Sequence, residues 1–195
     1  ASRGLGDVYK RQPEYYTDTD GNARYEKGKC SLNAGEHYLI IPSFSPENKP
    51  LGYHSAITAN AAMDISAAKD VINMYTEMLN YTKVDGYEQA VSEAEALLRL
   101  LPDFMYDESG AVKEWSVKEY GENNAHRHIS HLYPAWPALQ TQHDSKLAAA
   151  CRQAIINRNH ENKGKDDTAS HGWIHKALVE ARLKNADAVY DTLNL

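Results

Sequence analysis

The chain has 195 residues and a formal net charge of −6, with 21 Lys and Arg residues against 27 Asp and Glu residues. This acidic balance argues against a surface that neutralises phosphates, so neither nucleic acid nor an anionic membrane is an expected partner. Hydrophobic residues make up 42% of the chain without any apolar run near the roughly 20 residues of a membrane helix, and Cys30 and Cys151 form no metal-binding or disulfide pattern.

The first 60 residues show little regular periodicity. Residues 1–12 have no helical or strand pattern and no signal-peptide pattern, so we predict that they are non-native or disordered. From residue 13 to residue 29 the composition is polar and turn-forming, with a turn signal at residues 18–21. Residues 38–41 are compatible with a short strand. The prolines of residues 42–50, the proline loop, then exclude a helix and predict a stiff extended segment.

Apolar residues spaced three and four apart predict five helices in the rest of the chain. The predicted ranges are about 61–79, 86–101, 145–159, 168–183 and 186 onward. Either Thr58 or Asn60 can cap the first helix, and the last has the pattern of a helix still in progress at Leu195. Between the second and third helices, turn residues at 108–110 predict a short β-hairpin. Short connections between neighbouring helices favour antiparallel helical hairpins.

The densest group of polar side chains, the polar cluster of residues 122–131, follows the predicted β-hairpin. Its members are Glu122, Asn123, Asn124, His126, Arg127, His128, Ser130 and His131. Buried groups of this kind need hydrogen-bond partners, so the cluster is either an exposed loop or organised around a ligand. The histidines permit a two-His metal site, but no third ligand stands at a suitable spacing, so we expect no metal and no cofactor. A sugar site needs carboxylates, hydroxyl-binding side chains and aromatic rings, and all three are present here.

Two further segments are weaker candidates. The proline loop holds Glu47 and Asn48 on a stiff backbone, which reduces the entropy lost when a carboxylate and an amide are positioned for a ligand. The alternative for this loop is an ordinary Ser-Pro turn. Residues 168–173, TASHGW, combine a His with a Gly that lets backbone approach closely, although Thr168 as a helix cap explains much of the pattern.

Five segments of the sequence resemble, in this order, the C-terminal half of the catalytic domain of glycoside hydrolase family 95. They are PSFSPEN, ITANAAMDISAAKDVI, VKEW, HRHISHLYPAWP and SHGW, and the resemblance covers about residues 38–195. It implies a mainly α fold, part of an (α/α)6 toroid of the six-hairpin glycosidase type with a short β-hairpin insert. Such a ring has twelve helices and five are predicted here, so residues 13–195 are expected to be a C-terminal fragment of that domain.

The family contains inverting exo-α-glycosidases, and the resemblance implies hydrolysis of terminal α-L-fucosyl (α-1,2) or α-L-galactosyl residues of oligosaccharides by general acid–base catalysis. The family's general acid, a Glu in a WEHY-like helix, and its two water-positioning Asn in an NYWPA-like segment have no match in this sequence. They are expected upstream of residue 1, so the fragment alone should be inactive without the missing N-terminal part of the same chain. The choice between export and the cytoplasm stays open.

Carried over residue by residue, the family pattern implies a substrate-binding set spread over the whole chain. Its members are Glu47, Asn48, Asp64, His126, Arg127, His128, His131, His171 and Trp173. For Asp64 there is an alternative, because an acid in the first turn of a helix also complements the helix dipole.

The candidate catalytic residues are Glu122 and Asn123. The family's base-assisting Asp, three residues before HRH, falls on Asn123, and an amide cannot accept a proton as a carboxylate does. Glu122 is the nearest replacement. The other hypotheses are a changed substrate or catalyst, a catalytically impaired helical-hairpin protein that binds carbohydrate or acts as a scaffold, and a His-based metal hydrolase.

Overall fold

The computed structural model describes residues 13–162 and 170–194, so the predictions for residues 1–12 and for a cap at Thr168 lie outside the described residues. The described part is helix-rich with two small sheets, and none of its helices is both long and apolar enough to span a bilayer. The strands are β1 Tyr15–Thr17, β2 Ala23–Tyr25, β3 His37–Tyr38, β4 Ser43–Phe44 and β5 Ile57–Thr58. The helices are α1 Ala62–Thr82, α2 Tyr87–Leu100, α3 Ser145–Asn162, α4 Ser170–Arg182 and α5 Ala186–Leu193, with short 3-10 helices at Ser130–Leu132 and Gln140–Gln142.

The N-terminal sheet has the order β2-β1-β3, with both pairs antiparallel. The predicted turn at residues 18–21 is confirmed as the connection between β1 and β2, since the N–H of Gly21 bonds to the carbonyl of Asp18 at 3.0 Å. The strands show no recognisable alternation in the sequence because each has only two or three residues. The third strand is β3, so the strand expected at residues 38–41 begins one residue earlier and ends at Tyr38.

The predicted capping of α1 by Thr58 or Asn60 is wrong. Thr58 lies in β5, which pairs with β4, and Asn60 uses its Oδ1 to accept a 2.7 Å bond from the N–H of Ile40. The helix instead begins after Ala61 without a side-chain cap, and the N–H of Ala62 bonds to the carbonyl of Glu114 at 2.9 Å. A tertiary contact therefore satisfies an N-terminal N–H that a local cap would otherwise take.

Two helical hairpins organise the helices. Helices α1 and α2 pack against each other and are joined by four residues, so they run antiparallel. Helices α4 and α5 form the second pair. The apolar face predicted for α1 is only partly covered, because Ile65 is fully buried whereas Val71 and Met78 are each 64% exposed.

The main core lies around α3, against α4 and the segment 111–117. Its principal members are Val112, Leu132, Leu147, Cys151, Ala154, Ile155, Val179 and Leu183. All seven residues of 111–117, AVKEWSV, are buried. The predicted β-hairpin, whose second arm is part of this segment, has one bridge, between Tyr106 and Val112. It is closed by a turn in which Asp107 accepts the N–H of Ser109 at 2.9 Å.

The C-terminal helices differ slightly from their predicted lengths. Helix α3 continues three residues beyond residue 159, and α5 ends at Leu193 with Asn194 as its C-cap rather than continuing. Asn185 caps the start of α5 through its side chain. Cys151 is buried, Cys30 is exposed, and the described residues contain no disulfide.

Candidate functional site

The fold brings the proline loop and the polar cluster together, although about 80 residues separate them in sequence. The Oε2 atom of Glu47 lies 2.7 Å from Nη2 of Arg127 and 3.4 Å from Nε2 of His128. The hydroxyl of Ser130 donates to the carbonyl of Pro46. The first two candidate segments therefore form one polar surface.

The outer part of this surface, the rim, consists of Glu47, His126, Arg127, His128 and His171. The side chains of Glu47 and Arg127 are accessible, with exposed fractions of 62% and 31%, whereas that of His128 is 17% exposed. The ring of His128 lies between two others, with its centroid 5.3 Å from that of His126 and 5.4 Å from that of His171. Helix α4 thus contributes His171 to the site.

Trp173 occupies a different side of α4. Residues two apart on a helix do not face each other, and Nζ of Lys176 lies 5.4 Å from the centroid of the Trp173 ring. The described contacts therefore join His171, but not Trp173, to the rim.

Below the rim, Glu114 is a fully buried carboxylate with three close partners. Its Oε1 accepts from the hydroxyl of Ser45 at 2.6 Å, and its Oε2 accepts from Nδ2 of Asn48 and Nη2 of Arg158, each at 2.7 Å. Burial acts to raise the pKa of Glu114, but the charge of Arg158, the nearby His131 and the bond from Ser45 outweigh it and leave the pKa below its usual value. Glu114 is therefore a permanent negative charge at neutral pH.

Arg158 of α3 connects this carboxylate to the polar cluster. Its Nη1 donates to the carbonyls of Asn123 at 3.2 Å and His126 at 3.4 Å, while Nη2 lies 3.3 Å from Nδ1 of the buried His131. Burial, followed by the charge of Arg158, lowers the pKa of His131 to about 3. The imidazole is thus neutral, and because Nδ1 faces a donor, its proton is assigned to Nε2.

Asn48 and Asn123 form a side-chain pair between Glu114 and solvent. Asn48 is 2% exposed and uses all its amide positions: Nδ2 donates to Glu114 and to the carbonyl of Asn123, and Oδ1 accepts from Asn123 Nδ2 at 3.0 Å and from the N–H of Lys49 at 2.9 Å. Asn48 can reach a ligand only by giving up one of these bonds. Asn123 is partly exposed.

Glu122 carries the second buried carboxyl group of the site, and its environment differs from that of Glu114. Its Oε2 accepts the backbone N–H of Glu114 at 2.8 Å, whereas its buried Oε1 has no hydrogen-bond partner among the described residues. Burial raises the pKa of Glu122 to about 7, with the nearby Glu114 carboxylate adding to the effect and the Glu114 N–H bond opposing it. A carboxyl group with this pKa can take up or release a proton at neutral pH.

Asp64 lies at the start of α1, where its described bonds are to the protein. Its Oδ2 accepts from the hydroxyl of Ser43 at 2.5 Å and from the N–H of Phe44 at 3.2 Å, which ties the helix to β4. Across residues 13–162 and 170–194, no three His, Cys, Asp or Glu side chains converge as a metal site requires.

Sequence reasoning missed Glu114 and Arg158 as members of the site. Glu114 is the Glu of the VKEW motif, which was used only as evidence for the family resemblance and not as a source of site residues. A signal for Arg158 was present, because it follows Cys151, Ala154 and Ile155 at helical spacings of seven, four and three on the buried face of α3. A charged residue on an apolar helix face requires a buried partner, here Glu114.

Comparisons with known proteins agree with this arrangement of motifs. A family model described as the Glycosyl hydrolase family 95 catalytic domain matches residues 14–195. Alpha-L-fucosidase 2 of Arabidopsis thaliana is 26% identical over 156 residues, which cover 76% of this chain and 17% of that protein. The chain therefore spans under a fifth of the length of this curated relative.

Proposed function

The chain belongs to glycosyl hydrolase family 95, and on that premise we propose that it forms the sugar-binding rim and the base side of the site in an inverting exo-α-glycosidase. The proposed substrate is an oligosaccharide with a terminal α-1,2-linked L-fucosyl residue or the related L-galactosyl residue. The name of the Arabidopsis relative favours L-fucose. The observation that carries the proposal is Glu122, a buried carboxyl with one unpartnered oxygen and a pKa raised to about 7.

Glu122 acts as the general base in this proposal. Inversion requires a carboxylate that takes a proton from a water molecule on the face of the sugar opposite the leaving group. The Glu114 N–H holds Oε2 of Glu122, and Oε1 is left to accept that proton. The water oxygen bonds to the anomeric carbon as the glycosidic bond breaks, a general acid supplied from outside this sequence protonates the departing oxygen, and the sugar leaves with inverted configuration.

The rim binds the sugar hydroxyls. The carboxylate of Glu47 can accept hydrogen bonds from sugar hydroxyls. Arg127 and His128 lie against Glu47, and the rings of His126 and His171 flank that of His128. The remaining members of the proposed set, which lie outside the rim, are His131, Asn48, Asn123, Asp64 and Trp173.

The proposed architecture is a part of an (α/α)6 toroid. The α1/α2 and α4/α5 pairs have the antiparallel helical-hairpin form that such a ring repeats. In this proposal, the remaining hairpins and the general acid come from other parts of the same polypeptide.

The test is hydrolysis of an α-1,2-fucosylated oligosaccharide by the complete protein that carries this chain, followed by NMR so that the anomer of the released sugar is seen before it equilibrates. We expect the β-anomer of L-fucose. Replacing Glu122 with Gln should lower kcat by about 10² to 10⁴, the usual contribution of a general base. Glu119→Gln, at an exposed position three residues earlier, is the matched control. Absence of hydrolysis, or equal activity of the two variants, contradicts the proposal.

One observation favours a second candidate, a catalytically impaired carbohydrate-binding protein. Asn123 stands where the family resemblance implies an acidic residue, and its amide cannot take a proton as a carboxylate does. Saturable binding of the oligosaccharide by the complete protein, without any release of sugar, identifies this second function.

A further inference from the structure

The side-chain hydrogen bonds that link Asn123, Asn48 and Glu114 all have the same direction: Asn123 donates to Asn48, and Asn48 donates to Glu114. Glu114 is charged and can only accept, so the group of Asn48 that faces it at 2.7 Å must be the amino group, Nδ2. The carbonyl oxygen of Asn48 consequently faces the other way, toward Asn123. Because Asn48 is buried and all its amide positions are occupied, turning it over would lose every one of these bonds.

The orientation of Asn48 decides that of Asn123. An acceptor, Asn48 Oδ1, faces Asn123 at 3.0 Å, so Asn123 must present Nδ2, which also lies 3.4 Å from the carbonyl of Lys49. The other end of the Asn123 amide, Oδ1, has no donor among the described residues. We propose that Glu114, acting through Asn48, holds Asn123 with its amino group inward and its Oδ1 as a fixed acceptor for an O–H group of a water molecule or a sugar.

These hydrogen bonds from Asn123 through Asn48 to Glu114, the relay, favour an amide over a carboxylate at position 123. An Asp in this orientation would place a carboxylate oxygen against Asn48 Oδ1, where no proton is available for a bond, whereas Asn supplies the N–H. Asn123 is therefore matched to the inward orientation of Asn48, and Glu114 and Asn48 are its positioning residues. The existence of the relay does not depend on the enzymatic activity, but the identity of its O–H ligand rests on the proposed function.

The first test is the pH dependence of unfolding by urea in Asn123→Asp. The charged groups linked to Asn123 are Glu114, through Asn48, and Arg158, which donates to the carbonyl of Asn123 at 3.2 Å. Because these charges are opposite, the contact with Asn48 Oδ1 sets the sign. Because the new carboxyl group of the Asn123→Asp variant would face the acceptor Asn48 Oδ1, its pKa should be higher in the folded state than in the unfolded state. The variant therefore loses stability as pH rises through the folded-state pKa of this carboxyl group. The ratio of the folding equilibrium constant of Asn123→Asp to that of wild type should be at least tenfold lower at pH 7.5 than at pH 4.5.

The control for this test is Asn73→Asp, the same change at an exposed position of α1. It should show a much smaller difference between the two pH values. Equal behaviour of the two variants, or an Asn123→Asp variant that is relatively more stable at pH 7.5, overturns the relay.

The second test needs no variant at position 123, so it applies even if Asn123→Asp does not fold. In wild type, NMR should show slowly exchanging side-chain amide protons for Asn123. Glu114→Gln should accelerate their exchange at least tenfold more than that of the buried Asn60 side-chain amide, which donates to the carbonyl of Ser116 and so reports the general loss of stability. The described bonds of Glu114 reach Asn123 only through Asn48. Glu119→Gln should leave the exchange at Asn123 unchanged. Exchange at Asn123 that is unchanged in Glu114→Gln, or accelerated no more than that of Asn60, overturns the relay.

The ligand of Oδ1 is identified in the complete protein by the kinetics of Asn123→Ala. A lower kcat at constant KM indicates the attacking water, whereas a higher KM at constant kcat indicates a sugar hydroxyl. No change in either constant overturns the role of Oδ1 as an acceptor for the ligand. Since the unfolding and NMR tests use no substrate, a failure of the proposed function leaves their outcome unaffected.

Discussion

The backbone N–H of Glu114 donates a 2.8 Å hydrogen bond to Oε2 of Glu122, so the peptide unit that carries one buried carboxylate also holds the other. Their environments differ, because Arg158 lies against Glu114 but the Oε1 atom of Glu122 has no described partner. The pKa of Glu114 is accordingly lowered, whereas that of Glu122 is raised to about 7. Divergent pKa values in one pair of acids are typical of groups that divide charge stabilisation and proton transfer between them.

Glu122→Gln should change how stability depends on pH. The folded-state pKa of Glu122 lies above the ordinary value of 4.5, so wild type loses stability as pH rises from about 4.5 through 7. The Gln variant lacks this titration. Relative to wild type, its free energy of unfolding should therefore increase between pH 5 and pH 8, by up to about 3 kcal/mol at 1.36 kcal/mol per pKa unit. Urea unfolding at several pH values measures the difference, and a constant difference would contradict the raised pKa.

Glu114→Gln should destabilise the protein by about 3 to 5 kcal/mol, because it leaves the buried Arg158 without its charged partner. The control is Asp103→Asn, which removes an ion pair with Lys69 of similar length, 2.9 Å, in which the Asp103 side chain is 81% exposed. Exposed pairs contribute about 1 kcal/mol or less, so this variant should be near wild type. Chemical denaturation of both variants at pH 7 tests the contrast, and equal losses would argue against a buried pair.

Arg127→Ala should weaken sugar binding with little change in stability. Arg127 is partly exposed and bonds to Glu47 at the rim, and hydrogen bonds to a charged group contribute about 1.5 to 3 kcal/mol, or roughly ten- to hundredfold in affinity. Arg24→Ala, which removes an exposed ion pair with Asp18 at 2.7 Å outside the site, should bind sugar as wild type does. Titration of the complete protein with L-fucose compares the two. Equal affinities would place the sugar elsewhere.

Ile65→Ala should lower the free energy of unfolding by about 2 to 5 kcal/mol, because Ile65 is fully buried in the first turns of α1 and its loss leaves a cavity. Ile156→Ala is the matched change at a helix position that is 57% exposed, and it should cost less than about 1 kcal/mol. Thermal or urea unfolding distinguishes them. Similar losses at both positions would mean that α1 is not anchored as described.

Helical periodicity located all five described helices, because the spacing of apolar residues is a local property and each helix is long enough to repeat it. Most of the short strands and the way in which the first N–H of α1 is satisfied were not predictable in the same way. Each strand has only two or three residues, and the first N–H of α1 bonds to Glu114, more than 50 residues away, rather than to a neighbouring cap.

The sequence by itself determined the helices, the polar character of residues 122–131 and the motifs that link the chain to its family, since all of these are properties of consecutive residues. Only the tertiary structure decided which polar groups meet. Arg127 reaches Glu47 across 80 positions, and Arg158 reaches Glu114 across 44. The second contact lowers the pKa of Glu114, whereas burial raises that of Glu122. Both effects depend on residues that are distant in sequence, so no local pattern predicts them.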